Sequence, residues 1–587
     1  MKVAGTRSAM WGRALLTMCA LILSVSMPAF AGQHRMSKDL EGRSGSDQVD
    51  VIVQFSQVPT AKHHQRVSDR GGRLRRDLGQ FKGASYTVPA SALADLADDP
   101  DVVYVSPDRP LFSTSSAVND FHTATINAPA AWALGLDGTG VGVAVIDSGI
   151  ADLSDLHSSK KIGFSNVVYS QDFSGSGSAS DQYGHGTHVS GIIAGTGAMS
   201  NGSKYTYTFQ GIAANANLIN LRVLDKNGAT TVSEVIAAIQ QAILLKSIYN
   251  IRIINLSLGG PVWESYKLDP LCQAVEQAWK SGIVVVVAAG NYGRDNAMQS
   301  YGYLTITSPA NDPYVITVGA MNTMGTADRT DDVPASYSSK GPSIIDWVVK
   351  PDIAAPGNLI DSLYFASETL NQKSPGNEVP QSVYVKNGSG KSSDTYYAMS
   401  GTSMAAPMVS GAAALMLQKN PLLTPDQVKA RLMLAAFKNL QQYSTVTDTS
   451  TGQAFYEQTD VFTVGAGYLD VQAALASTAL APAAVGSALS PTVTENSSGH
   501  IVLVPNGASV IGGNSILWGS SILWGSSILW GSNSGVAGDS ILWGSTVALA
   551  GSSILWGSNS VEADSILWGS SSATQLDADS VMWGSRR

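Results

Sequence analysis

"YAMSGTSMAAPMVSGAAALMLQ", residues 397–418, sets Ser403 where a loop turns into an apolar helix. From Met404 onward the run is rich in Ala, Leu and Met with few polar residues, the pattern of a helix buried on all sides. Gly401 and Thr402 before it are turn and cap residues. A hydroxyl at such a helix start lies near unpaired backbone N–H groups and the positive end of the helix dipole, which suits developing negative charge. Taken alone, the stretch favours a plainer reading, Ser403 as a helix cap.

Outward from that helix, residues 119–477 alternate strand-like and helical stretches: "GVGVAVIDSG", "ANLINLRVLD", "VSEVIAAIQQAILL", "IRIINLSLGG", "GIVVVVAAGN" and "PYVITVGAM". Continuous β-branched runs such as "IVVVVA" are what strands covered on both faces look like. The alternation predicts an α/β fold, a mainly parallel central sheet flanked by helices. Its catalytic groups are then expected at the carboxyl ends of the strands.

Polar residues stand at such places. "VAVIDSGI" ends a strand on Asp147, and "VVVVAAGNYG" ends one at Asn291. "YGHGTHVSGIIAG" sets His185 between two glycines at the start of a small-residue helix. Singly, Asp147 and Asn291 read as turn formers. His185 and His188, three apart on one helix, raise a metal pair, but the glutamate of an HExxH motif is missing. Together the four residue types suit one chemistry. A serine hydroxyl is a weak nucleophile unless an imidazole takes its proton, and the imidazole needs a buried carboxylate to fix its tautomer. The oxyanion needs donors, which an Asn side chain and a backbone N–H supply.

"VIDSGI", "HGTHVSGIIAGT", "VVAAGN" and "SGTSMAAPMVSGAAAL" resemble the motifs of the subtilisin-like serine peptidases. Their Asp-His-Ser order is matched to that known family and is not a deduction from spacing. The resemblance covers about residues 117–476. It implies Ser403 as nucleophile, His185 as general base and acid, and Asp147 as the group that orients His185. It implies an oxyanion hole from the Asn291 side chain and the Ser403 N–H. By the same resemblance "DKNGAT" (Gly228, Ala229, Thr230) and "NLSLGG" (Ser257, Leu258, Gly259) hold a peptide substrate as an added strand. No catalytic cofactor is implied. Structural calcium is common in the family, and Asp155 stands near a position that ligates it. The loop "GAMSNGSKYTYTFQG" does not match the family's ion loop, so the metal residues stay unassigned. The run 358–399 is longer than compact members need and reads as a polar loop near the cleft.

The N-terminus carries Lys2, Arg7 and Arg13, then "ALLTMCALILSVSM" and "PAFAGQ", which reads as a signal peptide over 1–31. A retained anchor is the alternative, but the run is short for a span. The protein is thus expected to be exported, secreted or held at the cell surface. Residues 49–110 read as a small α+β unit and resemble the inhibitory propeptide of the same family, with self-cleavage between about Asp108 and Asn119. A permanent accessory domain is the plainer alternative. Cys19 leaves with the signal, and Cys272 in "DPLCQAVEQAW" is then alone and reads as a core residue.

Hydrophobic residues make up 44% of the 587 and charged ones 14%, a globular and not a disordered composition. A formal net charge of −9, with no basic stripe, weighs against nucleic acid as a partner. Residues 478–500 are Ala-, Pro- and Ser-rich and read as a linker. Over 501–587 "LWG" occurs six times and "MWG" once, and seven of the twelve tryptophans fall there. The Ile-Leu-Trp cores favour short strands, but the constant spacing of a regular solenoid fails after Trp530. So apolar a tract is expected to dock onto the catalytic domain, other copies or the cell envelope. The leading expectation is a secreted endopeptidase made as a zymogen. Its rivals are a surface-binding protein with an inactive peptidase domain, and a metal-dependent hydrolase using His185 and His188.

Overall fold

The computed structural model describes residues 35–111, 121–447, 453–495 and 500–509, less 38–39, 41–42, 44, 109, 161–162, 296–299, 301, 479–480, 505 and 507–508, together with short strands between 527 and 583. The expected signal peptide, most of the expected processing segment, and the tail copies at Trp518 and Trp524 lie outside these residues.

The N-terminal unit is an antiparallel sheet of β1 (Gln48–Phe55), β2 (Arg73–Leu78), β3 (Gly83–Pro89) and β4 (Val102–Pro107), in the order β2-β3-β1-β4. Helices α1 (Ala61–Asp69) and α2 (Leu93–Ala97) complete it. Successive side chains of a strand point to opposite faces. Along β1, Val51, Val53 and Phe55 enter this unit's own core, while Ile52 enters the core of the larger domain. Gln54, on the same face as Ile52, donates its amide to the Leu268 carbonyl. One strand therefore serves two cores.

The chain leaves this unit as β5 (Pro110–Leu111) and enters the large domain. Its sheet runs through β6 (Gly142–Asp147), β7 (Val167–Asp172) and β8 (Asn217–Arg222). A short β9 (Thr230–Thr231) lies outside it and pairs with β5. Then come β10 (Ile251–Leu256), β11 (Val284–Ala288), β12 (Ile316–Asn322), the antiparallel β13 (Val333–Pro334) and β14 (Ile353–Pro356). The order is β13-β12-β11-β10-β6-β8-β7, with β14 beside β12. All pairs but β12–β13 are parallel. The expected parallel α/β sheet is thus present, and β11 is buried along its whole length. From β6 the chain builds outward to one side, then to the other. Such a reversal opens a crevice at the strand's carboxyl end. Asp147 stands there.

Helices α3 (His185–Ala194), α4 (Val232–Tyr249) and α5 (Pro270–Lys280) flank the sheet. The run 358–399 is an ordered insert, not an open loop. It holds β15 (Ile360–Leu363), α6 (Thr369–Lys373), β16 (Glu378–Pro380) and β17 (Ser392–Met399), its strands in one antiparallel sheet. Then comes α7 (Thr402–Lys419), buried from Thr402 to Leu417 as its composition predicts, and α8 (Pro425–Ala435).

The C-terminal part differs from a free linker followed by a tail. After a hairpin of β18 (Tyr443–Thr447) and β19 (Ala454–Gln458), the segment expected as a linker packs onto the domain. Ala488 and Ser490 are fully buried. Ser490 Oγ donates to Asp352 (2.5 Å), and Ala488 N donates to Asp426 (2.8 Å). Asp352 also meets the ammonium groups of Lys350 (2.7 Å) and Lys429 (3.1 Å). Burial pushes Lys429 down to about 7 against the pull of Asp352. Beyond it, β20 (Thr492–Glu495) and β21 (His500–Val504) form a hairpin whose far strand pairs with the tail strand β22 (Ser527–Trp530). The tail continues as β23 (Ser534–Ala537), β24 (Ser540–Trp543), β25 (Val547–Ala550), β26 (Ser553–Trp556), β27 (Ser565–Trp568) and β28 (Val581–Trp583). Strands β22, β24, β26, β27 and β28 stack in parallel, setting Trp530, Trp543, Trp556, Trp568 and Trp583 in one register, and β23 pairs β25 beside them. Uneven spacing is no bar to stacking, because the ladder aligns the repeated cores and the spacers absorb the difference in length.

Truncation after residue 476 should therefore destabilise the peptidase domain by about 3 kcal/mol or more, since it strips a partner from a buried charge network. Truncation after 509 should not. Thermal unfolding of both, in a Ser403→Ala background, checks this.

Candidate active site

Strand β6 carries Asp147 to the crevice, and α3 begins with His185 beside it. Asp147 is 1% and His185 0% exposed. Asp147 Oδ1 lies 2.7 Å from His185 Nδ1 and also accepts the Ser148 N–H at 2.7 Å. A carboxylate only accepts, so Nδ1 bears the ring proton and neutral His185 keeps Nε2 as an acceptor. Among the described residues Nε2 has no hydrogen-bond partner. The start of α3 is held by residues that sequence reasoning passed over. Asp181 accepts from Gly184 N (2.8 Å), Thr187 N (2.9 Å) and Thr187 Oγ1 (2.7 Å). Ser148 Oγ accepts from Gly186 N at 2.8 Å. An acidic residue four positions before a helical His was the available signal.

Asn291, just after β11, meets the start of α7. Its Oδ1 accepts from Thr402 N (2.9 Å) and Thr402 Oγ1 (3.1 Å). With the oxygen so held, the amide group can act only as donor on its other side. Thr402, read as a cap, in fact orients Asn291. Ser403, 3% exposed, donates its hydroxyl to the Ser257 carbonyl at 3.1 Å. In return Ser257 Oγ donates to the Ser403 carbonyl (2.8 Å), and is itself held by Asn255, which Ser410 of α7 holds.

The two expected substrate segments follow the interior strands β8 and β10. β9 carries Thr230, paired antiparallel with Leu111 of the chain itself. Gly228 has φ +81°, and a Cβ there would meet the Tyr183 ring at 2.5 Å, so glycine is favoured. Leu258 is buried, and Gly260 bonds to Ser308. Beside them a cavity of about 540 Å³ is lined by Gly259, Trp263 and Tyr292 of the domain and by Val49 and Pro107 of the N-terminal unit.

A buried Asp–His pair at the carboxyl end of a parallel-sheet strand, together with a serine at a helix start, is the set of parts that a class of serine hydrolases uses. The sequence pattern of the Subtilase family is matched by residues 138–467, and the chain belongs to that family: it is a subtilisin-like serine peptidase, a hydrolase. It is 41% identical over 306 residues to the serine protease AprX of Bacillus subtilis (strain 168), across 51% of this chain and 61% of that protein. It is 34% identical over 459 residues to subtilisin E of the same strain, across 78% of this chain and 97% of that protein. The fold matches the crystal structure of fervidolysin from Fervidobacterium pennivorans, described as a keratinolytic enzyme related to subtilisin. The TM-score is 0.52 at 21% identity, covering 75% of this chain and 62% of that one.

The remaining candidate ligands are engaged within the fold. Among the described residues no group of three His, Cys, Asp or Glu stands ready for a metal. His188 Nε2 lies 2.9 Å from the Tyr397 carbonyl and 3.1 Å from that of Ile360, and burial pushes the ring down to about 3, so it is a neutral structural donor. Cys272 is buried, and burial pushes its thiol up, which fits a core residue. Calcium does not fit at Asp155. Oδ1 accepts from Met199 N (2.5 Å), Oδ2 accepts from the Tyr396 hydroxyl (2.5 Å), and burial raises the carboxyl. A hard cation needs six or more oxygens, and here a phenol from the insert already occupies one carboxylate oxygen and a backbone N–H the other. Tyr396→Phe should cost about 1–3 kcal/mol by leaving a buried carboxylate oxygen unserved. Added calcium should not restore the melting temperature.

Proposed function

We propose that the protein is an exported serine endopeptidase, made as a zymogen that processes itself, and that cuts protein chains through an acyl-enzyme on Ser403. The observation that supports this best is the buried 2.7 Å pair of Asp147 and His185, with Nε2 left as an acceptor, taken together with Ser403 as the second residue of α7.

In this reading His185 Nε2 takes the Ser403 proton as Oγ attacks the substrate carbonyl carbon. Asp147 holds the ring and stabilises the imidazolium that forms. The oxyanion receives the Asn291 amide and the Ser403 N–H, at the positive end of α7. The C–N bond breaks as His185 returns the proton to the leaving amine. Water, deprotonated by the same nitrogen, then attacks the acyl carbon and frees Ser403. No metal or organic cofactor enters these steps.

The substrate lies as a strand between Gly228, Ala229 and Thr230 on one side and Ser257, Leu258 and Gly259 on the other. Recognition of backbone by strand addition accounts for cutting without strong sequence demands. Residues 49–110 act as the inhibitory propeptide. In support, β5 already occupies β9 as an added strand, and Asp108 accepts the Ser233 N–H (2.7 Å) at the start of α4. Export follows from the leader over 1–31, and the stacked tail docks outside the catalytic unit, on the envelope or on other copies.

Ser403→Ala should leave the precursor uncut at its propeptide while the domain still folds, as read by mass on a gel and by circular dichroism. Maturation of that variant without added protease would remove Ser403 from the role of nucleophile. Asn291→Ala should slow turnover by about a hundredfold or more with KM nearly kept, a magnitude taken over from subtilisin, where loss of this donor is the standard case. Burst and steady-state kinetics on a peptide amide measure it.

A further inference from the structure

The insert over residues 358–399 returns to the catalytic centre at Glu368. This residue precedes α6, yet its carboxyl makes no cap hydrogen bond with that helix. It is turned instead onto Gly184, the residue before His185. Gly184 has φ +108°, and a Cβ there would lie 2.5 and 2.6 Å from the two Glu368 oxygens. Next to it the insert backbone is tied to the same loop: Thr369 N donates to Gln182 O (3.1 Å) and Leu370 N to Tyr183 O (3.0 Å). Glu368 is 1% exposed.

Two buried carboxyls thus flank the start of the His185 helix, and they are served unequally. Asp181 accepts from Tyr183 N (3.0 Å) as well as from Gly184 and Thr187, the full complement of a carboxylate. Glu368 Oε2 accepts only a 3.2 Å bond from Phe365 N, and Oε1 has no partner among the described residues. The other titratable groups facing it are committed elsewhere. Tyr364 donates to Ser393 O, Tyr397 to Ser374 O (2.8 Å), and the Lys373 ammonium lies over the Tyr183 ring, 5.9 Å from its centroid. A buried carboxylate with one donor beside another carboxylate is costly, and the group relieves that cost by keeping its proton.

We propose that Glu368 is a positioning residue for His185 that works as a neutral carboxylic acid, clipping the insert onto Gly184, and that its ionisation loosens the clip and misplaces the imidazole. The effect on activity rests on His185 being the general base. Burial first, and then the charge of Asp181, push the Glu368 carboxyl up to about 9 from its ordinary 4.5. The folded chain therefore holds a proton that the unfolded chain releases above about 4.5. The stability Glu368 contributes is complete below that pH and is lost as pH rises toward 9, by up to about tenfold in the folding equilibrium per pH unit.

Glu368→Gln keeps the shape and cannot ionise. In a Ser403→Ala background the melting temperature of the Glu368 protein should fall away from that of Glu368→Gln between pH 5 and pH 9, the gap widening throughout. In the active enzyme, the fall of kcat on the alkaline side should be shifted upward or lost in Glu368→Gln, with KM little changed. Parallel melting curves across that window would overturn the proposal, and so would a Gln variant that fails to fold at pH 5, where both side chains are neutral. Because melting is read without turnover, failure of the assigned nucleophile and failure of Glu368 as a proton holder give different results.

Discussion

A buried carboxylate facing a buried imidazole is the constraint on which the rest of this structure depends. Asp147 cannot be taken out of water without donors, and a lone charge there would cost several kcal/mol. The His185 ring and the Ser148 N–H supply those donors at 2.7 Å each. They can do so only because β6 is the strand where the sheet's order reverses, with Val143, Ala144, Val145 and Ile146 fully or almost fully buried behind it. The core fixes the strand, the strand fixes the carboxylate, and the carboxylate fixes which ring nitrogen stays open.

Asn291 and Ser403 are each held by hydrogen bonds from neighbouring elements. Thr402 grips the oxygen of Asn291 through both its N–H and its hydroxyl. Ser257 bonds the carbonyl of Ser403 while its own carbonyl receives the hydroxyl. Asn255 and Ser410 continue this chain into the body of α7. Fully partnered buried polar networks of this kind lower the freedom of the groups they orient, and partly partnered ones are where change is cheapest. Glu368, with one donor on Oε2 and none on Oε1 among the described residues, is a partly partnered group beside it.

Segments that look peripheral in the sequence prove to be structural. The insert over 358–399 brings Tyr396 to Asp155 and Glu368 to Gly184, so it is tied both to the turn after β6 and to the residue that precedes α3. The Ala- and Pro-rich stretch before the tail supplies Ser490 to a buried set of two lysines and an aspartate. The tail's repeated cores align in a parallel ladder that joins the domain through β20 and β21.

The sequence by itself determined the layered α/β class, through β-branched runs alternating with helices, and it marked Asp147, His185, Asn291 and Ser403 by the small residues around them. These signals are local: period, turn residues and short motifs lie within a dozen positions of one another. Only the tertiary structure decided that Thr402 orients Asn291 rather than merely capping a helix, that Asp155 is served by a tyrosine 241 residues away, and that Glu368 lies against Gly184. Composition could not separate a packed strand from a linker over 478–500, because burial there comes from partners far along the chain. Hydrogen bonds between distant residues leave no periodic trace in either segment, so their energy becomes readable only when the fold has brought both ends together.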